Sequence, residues 1–231
     1  MDDIKKKFFL LIELKNIILT VLDDNNQILF DKKFKIDDFS PEENFKTLEK
    51  ILDQNILNLE KKFNYYIEDI NLIIKYDEFI TIDVSTIYNY NFDSIKSDNN
   101  SSYLMNIKEN IVNDMNDFDL VHMLINKYIV DGKEYSSIPD INYNKFFFEI
   151  RFIFLRSSII KKLKKIFSKY EISVQNISYY NYVFSFKSAN SSNIFELADK
   201  LNNGLNLKEI LLVKKPPKNK GFFERFFNFF S

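Results

Sequence analysis

The most distinctive chemistry in this 231-residue chain lies in its last eleven residues, GFFERFFNFFS. Placed on a helix at 100° per residue, Phe222, Phe223, Phe226, Phe227, Phe229 and Phe230 share an arc of about 160°. Glu224, Arg225, Asn228 and Ser231 take the other side. Three isolated turns are marginal in water, so such a segment folds only against an apolar surface. Two surfaces compete for it: the protein itself, as core or dimer interface, and a lipid bilayer. The preceding KKPPKNK favours the bilayer. Pro216-Pro217 is a stiff extended spacer, and Lys214, Lys215, Lys218 and Lys220, with Arg225, would lie near anionic headgroups at about 1 kcal/mol each. Even at a discounted ~1 kcal/mol per ring, six Phe side chains supply on the order of 6 kcal/mol before ordering costs, enough for reversible adhesion. Stable residence would then call for self-association that presents several tails.

Catalytic chemistry is poorly served. His122 is the single histidine and cysteine is absent, which excludes a histidine-rich metal site, a thiolate nucleophile and disulfides. Aspartates and glutamates lack the paired spacing of a hydrolase or a calcium loop. Gly132, Gly204 and Gly221 stand far apart, whereas a phosphate cradle needs clustered glycines to bring backbone N–H groups against the anion. A formal net charge of −1 gives no reason to expect nucleic acid. One local basic run stands out: Lys161, Lys162, Lys164 and Lys165, with Arg156 and Lys169, opposite an apolar stripe. It reads as a solvated helix face, or as a dock for an acidic peptide or an anionic membrane.

The elements that position these residues are legible from periodicity. Residues 8–14, 17–22 and 28–34 form a β-meander. Ser40, Pro41 and Glu43 make a capping box for a helix carrying Phe45, Leu48, Leu52, Ile56, Leu59 and Phe63. Strands near 70–76 and 79–86 complete a first unit, and the polar stretch 87–102 reads as a boundary. A helix through Leu104, Ile107, Ile111 and Met115 follows, then strands at 120–130 and 146–155 and a helix from Ser157 or Ser158 striped by Ile159, Ile160, Leu163, Ile166, Phe167 and Tyr170. A strand near 179–186, a helix near 191–203 and a strand near 208–213 close the chain. The apolar N-terminus is broken by Glu13 and Lys15 and has no small-residue cleavage site, so it is read as a strand and not a signal peptide.

LVHMLINKYIVDGKEYSSIP, Leu120 to Pro139, resembles the signature of the FtsA family, actin-like membrane tethers of bacterial cell division. His122, Tyr128, Asp131, Gly132, Pro139 and Glu149 fall in register with the family's pattern, while Ile125 stands in place of a proline and the glycines after Pro139 are missing. The opening strands, IEDINLIIKYDEFITI and the Phe-rich end resemble successive parts of the same family. The resemblance implies an α+β fold: a reduced actin-like (ribonuclease H-like) first lobe, an inserted SHS2-type subdomain and a C-terminal amphipathic helix. The boundaries expected are 1–86 for the first lobe, 87–175 for the insertion, 176–213 for the return to the lobe, 214–220 for a basic linker and 221–231 for the membrane-targeting helix. It further implies a division adaptor on the inner face of the cytoplasmic membrane at the division site, with a late division protein's tail received by the insertion. The family's ATP hairpins need glycines, but this chain has Lys15-Asn16 in the first and no second phosphate loop, so no cofactor and no enzymatic activity are expected. The lobe on which the family docks FtsZ is lacking, which leaves that contact open. The alternative is the actin-like scaffold of another envelope machine, such as a PilM-type pilus adaptor.

Overall fold

The computed structural model describes residues 6–36, 41–89, 98–135, 145–187 and 193–210. The fold is α+β, with two sheets. β1 (Lys7–Glu13) and β2 (Asn16–Leu22) pair antiparallel from Lys7↔Leu22 to Ile12↔Ile17, and β3 (Ile28–Lys35) extends the meander. α1 (Pro41–Phe63) crosses one face and delivers β4 (Asp69–Lys75) parallel to β1. The chain then leaves this sheet. β5 (Phe79–Asn89), α2 (Asp98–Asp114), β6 (Phe118–Val130), β7 (Lys133–Tyr135) and β8 (Lys145–Arg156) build an antiparallel second sheet of order β5-β8-β6-β7 with its helix. α3 (Ser157–Ser168) leads back, and β9 (Ser173–Tyr179) joins the first sheet parallel to β4. That sheet reads β3-β2-β1-β4-β9, so the whole second sheet is inserted between two neighbouring strands of the first. Two short helices, α4 (Tyr180–Phe184) and α5 (Ile194–Asn202), follow.

Side-chain alternation assigns the layers. In β1, Phe8, Leu10 and Ile12 face α1 and α3, packing with Leu48, Leu52, Leu163 and Phe167. Phe9 and Leu11 face the opposite side with Val183 of α4 and Phe195, Leu197 and Leu201 of α5. Covered on both faces, β1 must be a continuous apolar run, which is why FFLLI shows no alternation in sequence. One face of the second sheet is covered by its own helix, where Phe148, Ile150, Phe152 and Phe154 of β8 meet Tyr103, Leu104 and Ile107 of α2. Its other face is apolar where it meets the first unit, through Leu124, Ile153 and Leu155, and polar beyond that contact. There Arg151 makes two 2.8 Å bonds to Asp83, and Lys127 reaches Glu134 at 2.7 Å.

Several expectations are corrected. β5 belongs to the second sheet, pairing with β8 from Phe79↔Leu155 to Asn89↔Lys145, because its half-exposed alternation suits a one-sided sheet. α3 packs in the core of the first sheet and not within the insertion, since its stripe joins that of α1 in covering one face of β1 and β4. The strand expected near 179–186 is β9 ending at Tyr179 followed by helix α4, whose Tyr182 and Val183 close the second face of β1 and β4. Of the strand expected at 208–213, the described part makes a single antiparallel bridge, Leu124↔Glu209. The Ser40–Glu43 capping box, Pro139, the 214–220 linker and the 221–231 helix lie outside the described residues, Glu43 by its side chain.

Asp131-Gly132, which carries much of the family resemblance, is a two-residue hairpin between Val130 and Lys133. Both residues have positive φ, 51° and 76°, as a type I′ turn requires, and Asp-Gly is the pair that adopts it most readily.

Candidate docking cleft and the polar latch beside it

A cleft of about 860 Å³ opens between the two sheets. Its floor is the length of β9 from Val174 to Ser178, the outermost strand of the first sheet, and its walls come from the start of β6, from α3 and from α5. The charges around it are mixed: Lys6, Lys7 and Lys164 against Asp69, Asp119, Asp199 and Glu209. Most are committed within the protein. Lys7 bonds Asp199 at 2.8 Å and Asn26 at 3.0 Å, Asp119 accepts from Ser157 Oγ at 2.9 Å, and Lys6 sits 4.8 Å over the Tyr65 ring. Lys164 is exposed at the rim. An exposed edge strand in a groove is the geometry that accepts an extended peptide by strand addition, the backbone giving affinity and the neighbouring charges giving selectivity.

Of the basic run on α3, Lys161, Lys162, Lys164 and Lys165 are all exposed. The structure brings only Lys164 to the cleft. Lys162 lies 4.5 Å over the ring of Phe45 on α1, and Lys169 bonds Glu49 of α1 at 2.8 Å, so this part of the run serves helix packing.

At the cleft's inner end stands His122, buried. Its Nε2 accepts the Tyr179 backbone N–H at 3.0 Å, so that nitrogen carries no proton and Nδ1–H donates to Glu209 Oε1 at 2.7 Å. Glu209 Oε2 accepts from the Tyr182 hydroxyl at 2.5 Å, and Asn206 Nδ2 donates to the same hydroxyl oxygen at 2.9 Å. Backbone bonds flank the group: Ile125 N to Lys208 O at 2.8 Å and Ile210 N to Met123 O at 2.9 Å. With both ring nitrogens engaged, His122 is a structural joint and not a proton shuttle. It ties β6 of the second sheet, β9 of the first and the segment after α5 into one latch. No sequence pattern links Glu209, Tyr182 and Asn206 to His122, because they stand 87, 60 and 84 positions from it in the chain.

Burial pushes the Tyr182 hydroxyl far above the usual tyrosine range, with the hydrogen bond to Glu209 adding to it, and burial does the same to Tyr76. Because these groups hold their protons more tightly folded than unfolded, the stability they contribute is complete below the unfolded tyrosine value of about 10 and is lost as pH rises past it. The urea midpoint is therefore expected to fall steeply above about pH 10, and Tyr182→Phe should shallow that fall. A midpoint equally steep in the variant would remove Tyr182 from this role.

In open sheets, ligands gather at the carboxyl ends of parallel strands. Here β1 ends at Glu13, whose carboxylate pairs with Lys75 of β4 at 3.1 Å and accepts from Asn16 at 3.4 Å, while Lys75 lies 4.4 Å over the Tyr180 ring. Among the described residues, no group of three His, Cys, Asp or Glu is placed to hold a metal, and no helix is long and apolar enough to cross a membrane.

No protein-family model matches the chain, and no curated protein matches it in sequence. Among solved structures it is similar to the PilM-PilN type IV pilus biogenesis complex, at 7% identity over 85% of this chain and 51% of that one, with a TM-score of 0.47. It is also similar to the cytoplasmic domain of EpsL, an inner membrane component of the type II secretion system of Vibrio cholerae (8% identity, 80% and 59% covered, TM-score 0.37). A third is a protein of actin-like ATPase fold and unknown function from Bacteroides thetaiotaomicron (11%, 80% and 56%, TM-score 0.35). The chain spans between 51% and 59% of the length of these three chains.

Proposed function

We propose that this protein is a peripheral membrane adaptor of a bacterial envelope machine, built on a reduced actin-like lobe, with the division machinery as its first assignment. The observation that carries the reading is topological. A meander, a crossing helix and a parallel strand form a lobe that is interrupted, between β4 and β9, by a complete sheet with its own helix. The resemblance to FtsA implies a lobe with an inserted SHS2-type subdomain, and in this reading β5–β8 take that role. In this reading the Phe-rich end holds the protein to the inner face of the cytoplasmic membrane. The inter-sheet cleft takes an extended tail from a division protein, and Lys164 selects for acidic character. Glu13 at the strand end offers a carboxylate where a phosphate would need donors, which supports a nucleotide-free adaptor without catalysis. Micromolar Mg-ATP binding by titration calorimetry would remove that part of the reading.

The test is localisation of a fluorescent fusion in dividing bacteria. A septal band supports division, and envelope foci away from septa favour the pilus-type alternative. Diffuse fluorescence rejects both. In the same assay, Lys161, Lys162, Lys164 and Lys165 changed together to Glu should keep the envelope signal and lose the enrichment at the septum.

A further inference from the structure

We propose that the outer edge of β5, which no described strand pairs, is a dimerisation surface, where a second copy of this chain pairs antiparallel and joins two four-stranded sheets into one of eight. This inference is independent of the function proposed above. Unpaired strand edges invite intermolecular pairing, and proteins blunt them with charge, brevity or cover. Two of the other three edges are blunted and the third is walled in. β3 carries Asp31, Lys32, Lys33 and Lys35, β7 is three residues long, and β9 lies on the cleft floor between β6, α3 and α5, where a single extended peptide fits but the edge of another sheet does not. β5 differs. It is eleven residues long, FITIDVSTIYN, with one charged residue, and that residue, Asp83, is already neutralised by the two bonds from Arg151. Exposed apolar side chains flank it: Ile80, Ile87 and, directly across from Ile87 on β8, Phe147.

The occupant follows from the strand's own register. Full antiparallel overlap of Phe79–Asn89 with itself centres on Val84. Asp83 then faces Ser85 of the second copy, Ile82 faces Thr86 and Thr81 faces Ile87. Cross-strand pairs of β-branched residues are favourable, and no like charges stand opposite each other. A slip of two residues, to a centre on Asp83, would set the two aspartates face to face. A chain with a net charge of −1 adds little repulsion between copies.

The chain contains no cysteine, so single introduced thiols report register without background. In the full-length protein, Val84→Cys lies on the two-fold axis, where opposed Cα atoms about 4.5 to 5.5 Å apart fit a disulfide. It should become a covalent dimer under mild oxidation. Ile80→Cys and Ile87→Cys, whose partners in this register are residues 88 and 81, should remain largely uncrosslinked. Sedimentation of the unmodified protein should show twice the monomer mass, and Thr81→Lys, which gives β5 the kind of guard that β3 has, should return it to monomer with its circular dichroism unchanged. A monomer at all concentrations, as expected if a different chain takes this edge, overturns the proposal. So does a dimer that crosslinks at position 80 or 87 as readily as at 84.

Discussion

Deletion of Gly221–Ser231 is expected to abolish flotation with anionic vesicles while leaving thermal unfolding of the remainder unchanged. The three described apolar clusters are assembled from residues between Phe8 and Ile210, so none of them draws on the deleted segment. The loss should be large. Some 6 kcal/mol of ring burial corresponds to about four decades in partitioning, before the cost of ordering the helix is subtracted. Phe226→Asp together with Phe230→Asp should match the deletion, since each sets a carboxylate in the middle of the apolar arc, where burying an unpaired charge costs far more than one ring supplies. Glu224→Lys should move the other way, adding a cation on the headgroup side. If the truncated protein unfolds, or floats as well as the intact one, the Phe cluster belongs to a core or an interface and the membrane tether is lost with it.

Glu209→Ala is expected to be among the most destabilising single changes at the surface between the two sheets. Glu209 is the shared acceptor for His122 Nδ1–H and the Tyr182 hydroxyl. Its removal leaves two buried donors unmet, at roughly 1 to 3 kcal/mol each. For a chain of this size that is a fall in Tm on the order of 10 °C. Arg151→Ala breaks a pair with better geometry on paper, two 2.8 Å bonds to Asp83. Both partners are substantially exposed, so the expected cost is about 1 kcal/mol or less. Burial, not bond length, decides the order of the two effects. Amide exchange across residues 204–210 should accelerate in Glu209→Ala and stay slow in Arg151→Ala. Equal unfolding midpoints for the two variants would mean that the latch contributes no more than a surface pair.

How much of this could be read from the chain depended on how strongly each element declares its neighbours. β1, β2 and β4 are buried on both faces and announce themselves as apolar runs, and α1 and α3 do so by their stripes. β9, SVQNISY, is an edge strand lining a polar cleft, so neither alternation nor a continuous run marks it, and the aromatic stretch just after it looked more strand-like than it is. Strand existence was also easier to read than strand partnership. FITIDVSTIYN shows the alternation of a one-sided strand, but nothing in that alternation says which sheet it joins. The latch was beyond reach for a related reason: a lone histidine in a strand says nothing about a glutamate that tertiary folding brings to 2.7 Å. The Asp-Gly turn carried family weight in sequence, yet any hairpin of that length would ask for it.

The insertion point also bears on the order of folding. Pairing β4 with β9 directly would close a loop of roughly a hundred residues, which penalises the encounter and slows it. Because Phe79 pairs with Leu155, the second sheet, once formed, brings its entrance and exit side by side. The span between β4 and β9 is then effectively a few tens of residues, which lowers the closure cost by about 1 kcal/mol. Once paired, the inserted sheet would act as a clasp that lowers the cost of docking β9 beside β4. A module attached through two adjacent strand ends can be exchanged for another of different size while the lobe beneath keeps its strand order.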